Sequence, residues 1–122
     1  MNKICTTPEQ SQKLIELGIN VNTADMQWVN TGYCMRALPT DDYETQSSSS
    51  KIPAWSLAAL LSVLPKNLEM GRPVLAINYK GDYWVQYYDE YMQKLDLETK
   101  CYDNSVDAVF EMIVWLKENK KI

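Results

Sequence analysis

Histidine is absent from all 122 residues. That gap excludes Ser-His and Cys-His nucleophilic catalysis, histidine metal ligation and histidine pH switching. Cysteine is scarce. Cys5, Cys34 and Cys101 are odd in number and stand 29 and 67 residues apart. They form no CxxC pair and no zinc-like cluster, so reduced, mostly buried thiols are expected, with no metal and no cofactor. Long apolar runs are missing as well. The longest, Leu57 to Leu61 and the equal run Met112 to Leu116, fall far short of the ~20 residues that span a bilayer, so no membrane association is expected. The start of the chain, Met1-Asn2-Lys3-Ile4-Cys5-Thr6-Thr7-Pro8, holds no apolar stretch of signal-peptide length, and a cytoplasmic location is expected. Basic residues are not in excess. Twelve Lys plus Arg against sixteen Asp plus Glu leave a net charge of −4, which disfavours nucleic acid as a partner.

What is present is an ordinary globular composition, 46% hydrophobic and 23% charged. One compact domain over 1–122 is expected, large enough to bury roughly two thirds of the surface its unfolded chain exposes. Thr7, Pro8 and Gln10 spell a capping box with proline at the first helical position, and Gly18 suits the helix end after Leu14, Ile15 and Leu17. Met26 and Trp28 alternate with polar neighbours. Strands are expected at 26–30 and 33–38, joined by hairpin chemistry at Asn30-Thr31-Gly32. The segment 39–51, with Asp41-Asp42 and Ser47 to Ser50, is expected to be a mobile loop. Leu57, Leu60, Leu61 and Leu64 form a helical stripe after Ser56, stopped by Pro65.

Gly81-Asp82 reads as a two-residue hairpin turn that sets Tyr79 against Trp84, Ile77 against Gln86 and Leu75 against Tyr88. Neither face of that hairpin is cleanly polar, so it is either covered on both sides or shows aromatic surface. Leu95 to Cys101 alternates as a strand with one wet face. The last helix, capped by Asn104 or Ser105, is apolar over most of its circumference. It is either the central helix or packs partly on a second subunit. The expected fold is α+β, an antiparallel sheet of hairpins with about three helices on it, in the order αββαβββα.

Three features could carry chemistry. Asp96-Leu97-Glu98-Thr99-Lys100 resembles the acid-x-lysine arrangement with which some nucleases hold Mg²⁺, Asp89 or Asp82 serving as an upstream acid. The plainer reading is a solvated strand face whose charges deter edge pairing. Asp107 and Glu111, at i and i+4 with Glu118 beyond, could share a cation or act as acid and base. The plainer reading is the solvent stripe of an otherwise buried helix, since no helical histidine joins them. Finally, Tyr79, Tyr83, Trp84, Tyr87, Tyr88 and Tyr91 fall within thirteen positions. Tyrosine and tryptophan are enriched at interfaces, which makes Tyr79, Trp84, Tyr87, Tyr88 and Tyr91 candidate partner contacts. The alternative is a sheet–helix core with tyrosine hydroxyls at its rim.

Three blocks of the chain also carry a resemblance. The first is Cys5-Thr6-Thr7, Gln10-Ser11, Leu14 and Leu17-Gly18, ending in Thr23-Ala24-Asp25-Met26-Gln27-Trp28. The second is Pro53-Ala54-Trp55-Ser56-Leu57, Ala59-Leu60-Leu61 and Leu64-Pro65. The third is Asp103-Asn104, Asp107-Ala108, Phe110 to Leu116, Glu118-Asn119 and Ile122. Together they resemble a family of small uncharacterised proteins from gut Bacteroides-type bacteria and their phages or other mobile elements. Ser105 stands where that pattern has proline. The resemblance implies one cytosolic domain and supplies no catalytic residue. Within the blocks Asp25 and Glu111 are the residues least explained by packing. Asp25 suits a turn cap, and Glu111 suits a buried donor such as a tryptophan N–H. The expected function is a non-enzymatic interaction module that binds a protein partner or itself through the aromatic hairpin or the last helix. No small-molecule ligand is inferred. The competing expectation is a small hydrolase or nuclease using carboxylates and a divalent metal.

Overall fold

Helix α1 (Pro8–Glu16) begins where the capping box lies. Thr7 Oγ1 accepts the Gln10 amide N–H at 3.1 Å, and the Gln10 side-chain oxygen accepts the Thr7 amide at 3.0 Å. The computed structural model describes residues 3–30, 35–40, 51–66 and 71–122. Helix α2 (Leu57–Val63) is capped by Ser56 Oγ, which accepts the Ala59 amide at 3.2 Å. Helix α3 (Ser105–Glu118) takes Asn104 as its cap, Oδ1 accepting the Asp107 amide at 2.8 Å. At its other end Asn119 Nδ2 donates to the Trp115 carbonyl at 2.8 Å. Each cap satisfies amides or carbonyls that a helix end leaves without intrahelical partners.

The fold is α+β. Strands β1 (Met26–Asn30), β2 (Met35–Pro39) and β3 (Lys51–Ala54) form one antiparallel sheet in the order β2-β1-β3. Strands β4 (Arg72–Ile77), β5 (Tyr83–Tyr88) and β6 (Lys94–Glu98) form a second, in the order β4-β5-β6. The expected order therefore gains a strand, αβββαβββα, and the single sheet becomes two. The added strand β3 takes over the end of the expected 39–51 loop. Its Lys-Ile-Pro-Ala sequence does not alternate, and proline argues against a strand. Pro53 is tolerated because β3 lies at a sheet edge, where a missing N–H is least costly. The expected turn residues Thr31 and Gly32, and the serine run, lie outside the described residues.

The β4–β5 register differs from the expected one by three positions. Ile77 faces Tyr83, Leu75 faces Val85, Pro73 faces Tyr87 and Val74 faces Gln86. The cause is local. The Asn78 amide donates to the Asp82 carbonyl at 2.9 Å, and the Asn78 carbonyl accepts from Gly81 at 3.0 Å. Asn78 Oδ1 also accepts the Lys80 and Asp82 amides at 2.9 and 3.0 Å. These bonds close a three-residue loop, Tyr79 to Gly81, whose last residue sits at φ +87°. An odd shift changes which side chains face each other, and it gathers Leu75, Tyr83, Val85 and Tyr87 on one side of the sheet.

That side meets α3. Val106, Ala108, Val109, Phe110, Met112, Ile113, Val114 and Leu116 of this helix are all buried. They pack with Leu14, Trp55, Leu60, Leu64, Val85, Tyr87 and Leu97, so α3 is the central helix of the core. Strand β6 ends at Glu98, sooner than its alternation suggests. The chain beyond it stays beside β5 through Thr99 N to the Val85 carbonyl at 2.9 Å and a Tyr83–Tyr102 bridge. Among the described residues no helix is long and apolar enough to cross a membrane.

Candidate functional site

Strand alternation decides the fate of the aromatic cluster. With Val85 and Tyr87 turned into the core, Trp84 and Tyr88 point to the opposite face of the β4-β5-β6 sheet. There Trp84 lies opposite Ala76 and Tyr88 opposite Arg72, beside exposed Val74. Trp84 and Tyr88 are half-buried. Between them Gln86 is only 1% exposed. Its Nε2 donates to the Tyr87, Leu95 and Leu97 carbonyls at 2.9, 2.7 and 3.3 Å, where β5 and β6 slip past each other in a bulge. The glutamine amide fills a break in the ladder and leaves the two aromatic rings on either side of it.

The other three candidate aromatics are not on that face. Tyr87 is fully buried. Its hydroxyl donates to the Pro65 carbonyl at 3.1 Å, and burial pushes its phenol well above the ordinary range. It serves the core and cannot contact a partner while the fold is closed. Tyr79 is 93% exposed at the β4–β5 loop, with Lys80 Nζ 5.8 Å from its ring centre. Tyr91 is 76% exposed in the turn after β5, where its amide donates to Asp89 Oδ1 at 2.8 Å. The two mark opposite ends of β5.

The polar candidates divide in the same way. Asp25 receives the Ser56 amide at 2.8 Å and also the Ser56 hydroxyl. It therefore positions the residue that caps α2, not a turn into β1. Asp107 accepts from Lys3 Nζ at 2.8 Å, Gln10 Nε2 at 2.7 Å and Asn104 Nδ2 at 2.8 Å. Burial works to raise its carboxyl, but those hydrogen bonds and the lysine charge outweigh it and hold the group below its usual range. Glu111 is different. It is half-buried, and its carboxylate makes no hydrogen bond to a described residue, so the expected indole donor is not found. Burial, then Asp107 and Glu118, push it above the usual range against the opposing pull of Lys13. The thiols also differ. Cys5 is buried and pushed up to about 11 by burial and by Asp25, whereas Cys101 is exposed. Cys34 lies outside the described residues.

Glu111 opens onto a cleft of about 330 Å³ between α3 and the end of β6. Glu111, Trp115 and Glu118 line the helical wall at i, i+4 and i+7. Glu98, Lys100 and Tyr102 line the other. The Tyr102 phenol is pushed up by burial and then by Glu111 and Asp107, which places it within reach of their field. Thus the acid-x-lysine segment and the acidic line of the last helix, separate in sequence, border one cavity, and Glu98 and Lys100 also border a second hollow with Trp84 on the outer face. Among the described residues no three His, Cys, Asp or Glu side chains stand close enough to hold a metal ion. Trp115 and Tyr102 escape a reading of the sequence as site residues. The spacing of Trp115 from Glu111 was a usable signal, since i and i+4 share a helix face. Nothing in sequence ties Tyr102 to them. No family model, curated protein or solved structure matches this chain.

Proposed function

We propose that the chain is a non-enzymatic interaction module of the cytosol that takes a protein partner on the outer face of the β4-β5-β6 sheet. One observation carries this reading: Trp84 and Tyr88 stand on the side of the sheet that turns away from the helices. An antiparallel sheet with one face on the core ordinarily presents polar side chains on the other. Here Val74, Ala76, Trp84 and Tyr88 share it with Arg72, Gln86, Lys94 and Glu98. Large, stiff aromatic side chains give contact area at little cost in rotamer entropy, which suits a contact surface. The buried Gln86, whose Nε2 donates to three carbonyls, ties down the backbone beneath them, so the surface is held in shape before a partner arrives.

The test places the photo-crosslinking residue benzoylphenylalanine at position 84 or 88, and at exposed Glu9 on α1 as a control, in cells that make the protein naturally. Adducts of one defined mass from 84 and 88, absent from 9, are expected. Equal adducts from all three positions, or none from 84 and 88, would remove the reading.

A further inference from the structure

We infer that the free edge of β4 pairs antiparallel with β4 of a second copy of the chain, joining two β4-β5-β6 sheets into one across a two-fold axis at Leu75. The first support is the direction of the main chain. Tyr83 exchanges both of its main-chain hydrogen bonds with Tyr102, and the Val85 carbonyl accepts the Thr99 amide at 2.9 Å. Both residues therefore spend these groups on the side away from β4. In an antiparallel ladder the residues opposite them, Ile77 and Leu75, turn their own N–H and C=O groups outward, and alternation gives Pro73 the same direction. The outward groups of Leu75 and Ile77 make no hydrogen bond to a described residue. Proline at 73 agrees with this direction, since the donor it lacks is one that would point off the sheet. The edge thus offers main-chain donors and acceptors at every second residue, the pattern that another extended strand matches.

Side chains distinguish this edge from the opposite one. Strand β6 exposes Lys94, Asp96 and Glu98, charges that deter pairing. From Pro73 to Tyr79 the chain carries no charge. Val74 is 38% exposed and Ile77 58%, so apolar surface is left uncovered along the border of the sheet.

The occupant follows from fit. With the two-fold axis at Leu75, Leu75 of each protomer exchanges both hydrogen bonds with Leu75 of its partner, and each Ile77 N–H donates to the Pro73 carbonyl of its partner. Every outward N–H is then satisfied. The donor that Pro73 lacks leaves only the Ile77 carbonyl to water. The same register sets Ile77 of one protomer beside Pro73 of the other. There a largely apolar hollow of about 310 Å³ lies at the start of β4, bordered by Leu61 of α2, Lys66, Arg72 and Pro73. Ile77 and Pro73 lie on the same side of the sheet, so the exposed isoleucine of each copy is aimed at the hollow of the other. Arg72 falls opposite uncharged Asn78, whereas a shift by one side-chain repeat toward the loop would set it against Lys80. The contact is isologous and closes at two copies.

The experiment uses the full chain. Its mass is followed by sedimentation equilibrium from micromolar to millimolar concentration, because a single strand pair is a small contact. Amide exchange is read by NMR at both ends of that range. A monomer–dimer equilibrium is expected, with the Leu75 and Ile77 amides at least tenfold slower to exchange at the high concentration and the Asp96 amide unchanged. Ile77→Lys would bring a charge to Lys66 and Arg72 of the other copy and should hold the chain monomeric, with the circular dichroism of the wild type because Ile77 is exposed. Three results would overturn the inference: a monomer at millimolar concentration, a dimer whose Leu75 and Ile77 amides gain no protection, or a folded Ile77→Lys that associates as tightly as wild type. Should Ile77→Lys fail to fold, the exchange measurement on the wild-type chain still decides. A chain monomeric throughout that crosslinks in cells to a different protein from benzoylphenylalanine at position 77 would give the edge to that protein and overturn the second copy. Trp84 and Tyr88 take no part in this pairing, so it stands or falls apart from the outer-face contact.

Discussion

Gly71 lies just before β4 with φ +91°, and a Cβ built there would meet the Tyr88 carbonyl oxygen at 1.9 Å, its carbon at 2.7 Å and Asp89 Cα at 3.1 Å. All three atoms are backbone, so none can swing aside as a flexible side chain would. Gly81 has nearly the same conformation, φ +87°, with nothing within 4 Å of its would-be Cβ. The pair separates conformational strain from collision. Alanine in the left-handed region costs ~1 to 2 kcal/mol, and Gly81→Ala should lose about that much. At Gly71 the same strain applies, and the first β4–β5 pair, Arg72 with Tyr88, must part as well. Losing its hydrogen bonding adds about 1 to 3 kcal/mol, so Gly71→Ala should lose ~2 to 5 kcal/mol in all. With about 2.1 cal/mol/K of unfolding entropy per residue, a chain this long drops roughly 4 °C in Tm per kcal/mol. Scanning calorimetry should then show Gly71→Ala melting roughly 8 to 20 °C below wild type and Gly81→Ala roughly 4 to 8 °C below. Equal losses at the two positions would refute the collision argument.

Three further outcomes follow from polar groups. Thr6 is fully buried, its hydroxyl paired with Ser11 Oγ at 2.7 Å and accepting the Trp55 amide at 3.1 Å; Thr6→Val should lower stability in urea by ~1 to 3 kcal/mol, and Thr6→Ser by clearly less. Gln86→Leu removes the donor to three carbonyls, and amide exchange at the β5–β6 bulge should accelerate while α1 stays protected. The pH dependence of Asp107 and Glu111 should run in opposite directions. The Asp107 carboxyl is held low, so its contribution is present above the ordinary aspartate range and lost as pH falls through its folded value. The Glu111 carboxyl is held high, so its charge destabilises the fold at neutral pH and the cost fades in acid. Asp107→Asn should therefore melt lower than wild type at pH 7, and Glu111→Gln higher, with both differences shrinking toward pH 3 in thermal melts. A Glu111→Gln variant less stable than wild type at pH 7 would contradict the second sign.

Helix ends were the most legible part of this fold, because each cap is a local contract between residues three apart. Thr7 with Gln10, Ser56 with Ala59 and Asn104 with Asp107 all act within one turn. Strand β3 was not legible, since its pairing with β1 depends on residues more than twenty positions away and its proline argues against it. The hairpin register failed for a subtler reason. Gly-Asp is a good two-residue turn, but Asn78 supplies side-chain and main-chain bonds that favour a longer loop. Of the candidate site, Trp84 and Tyr88 could be named from composition alone, yet only the register separates them from buried Tyr87. The cleft was beyond reach, because the end of β6 and the face of α3 that border it come together only after the chain has turned between them.

The place of α3 in the chain bears on how the protein is made. Among the described elements, the core assembles around a helix that is translated after the six strands and after the other two helices. Until residues 105–118 leave the ribosome, Leu14, Trp55, Leu60, Val85 and Tyr87 have no common surface to close upon. The apolar side of the β4-β5-β6 sheet therefore stays uncovered until that helix has been made, and the core is expected to close only once it has emerged.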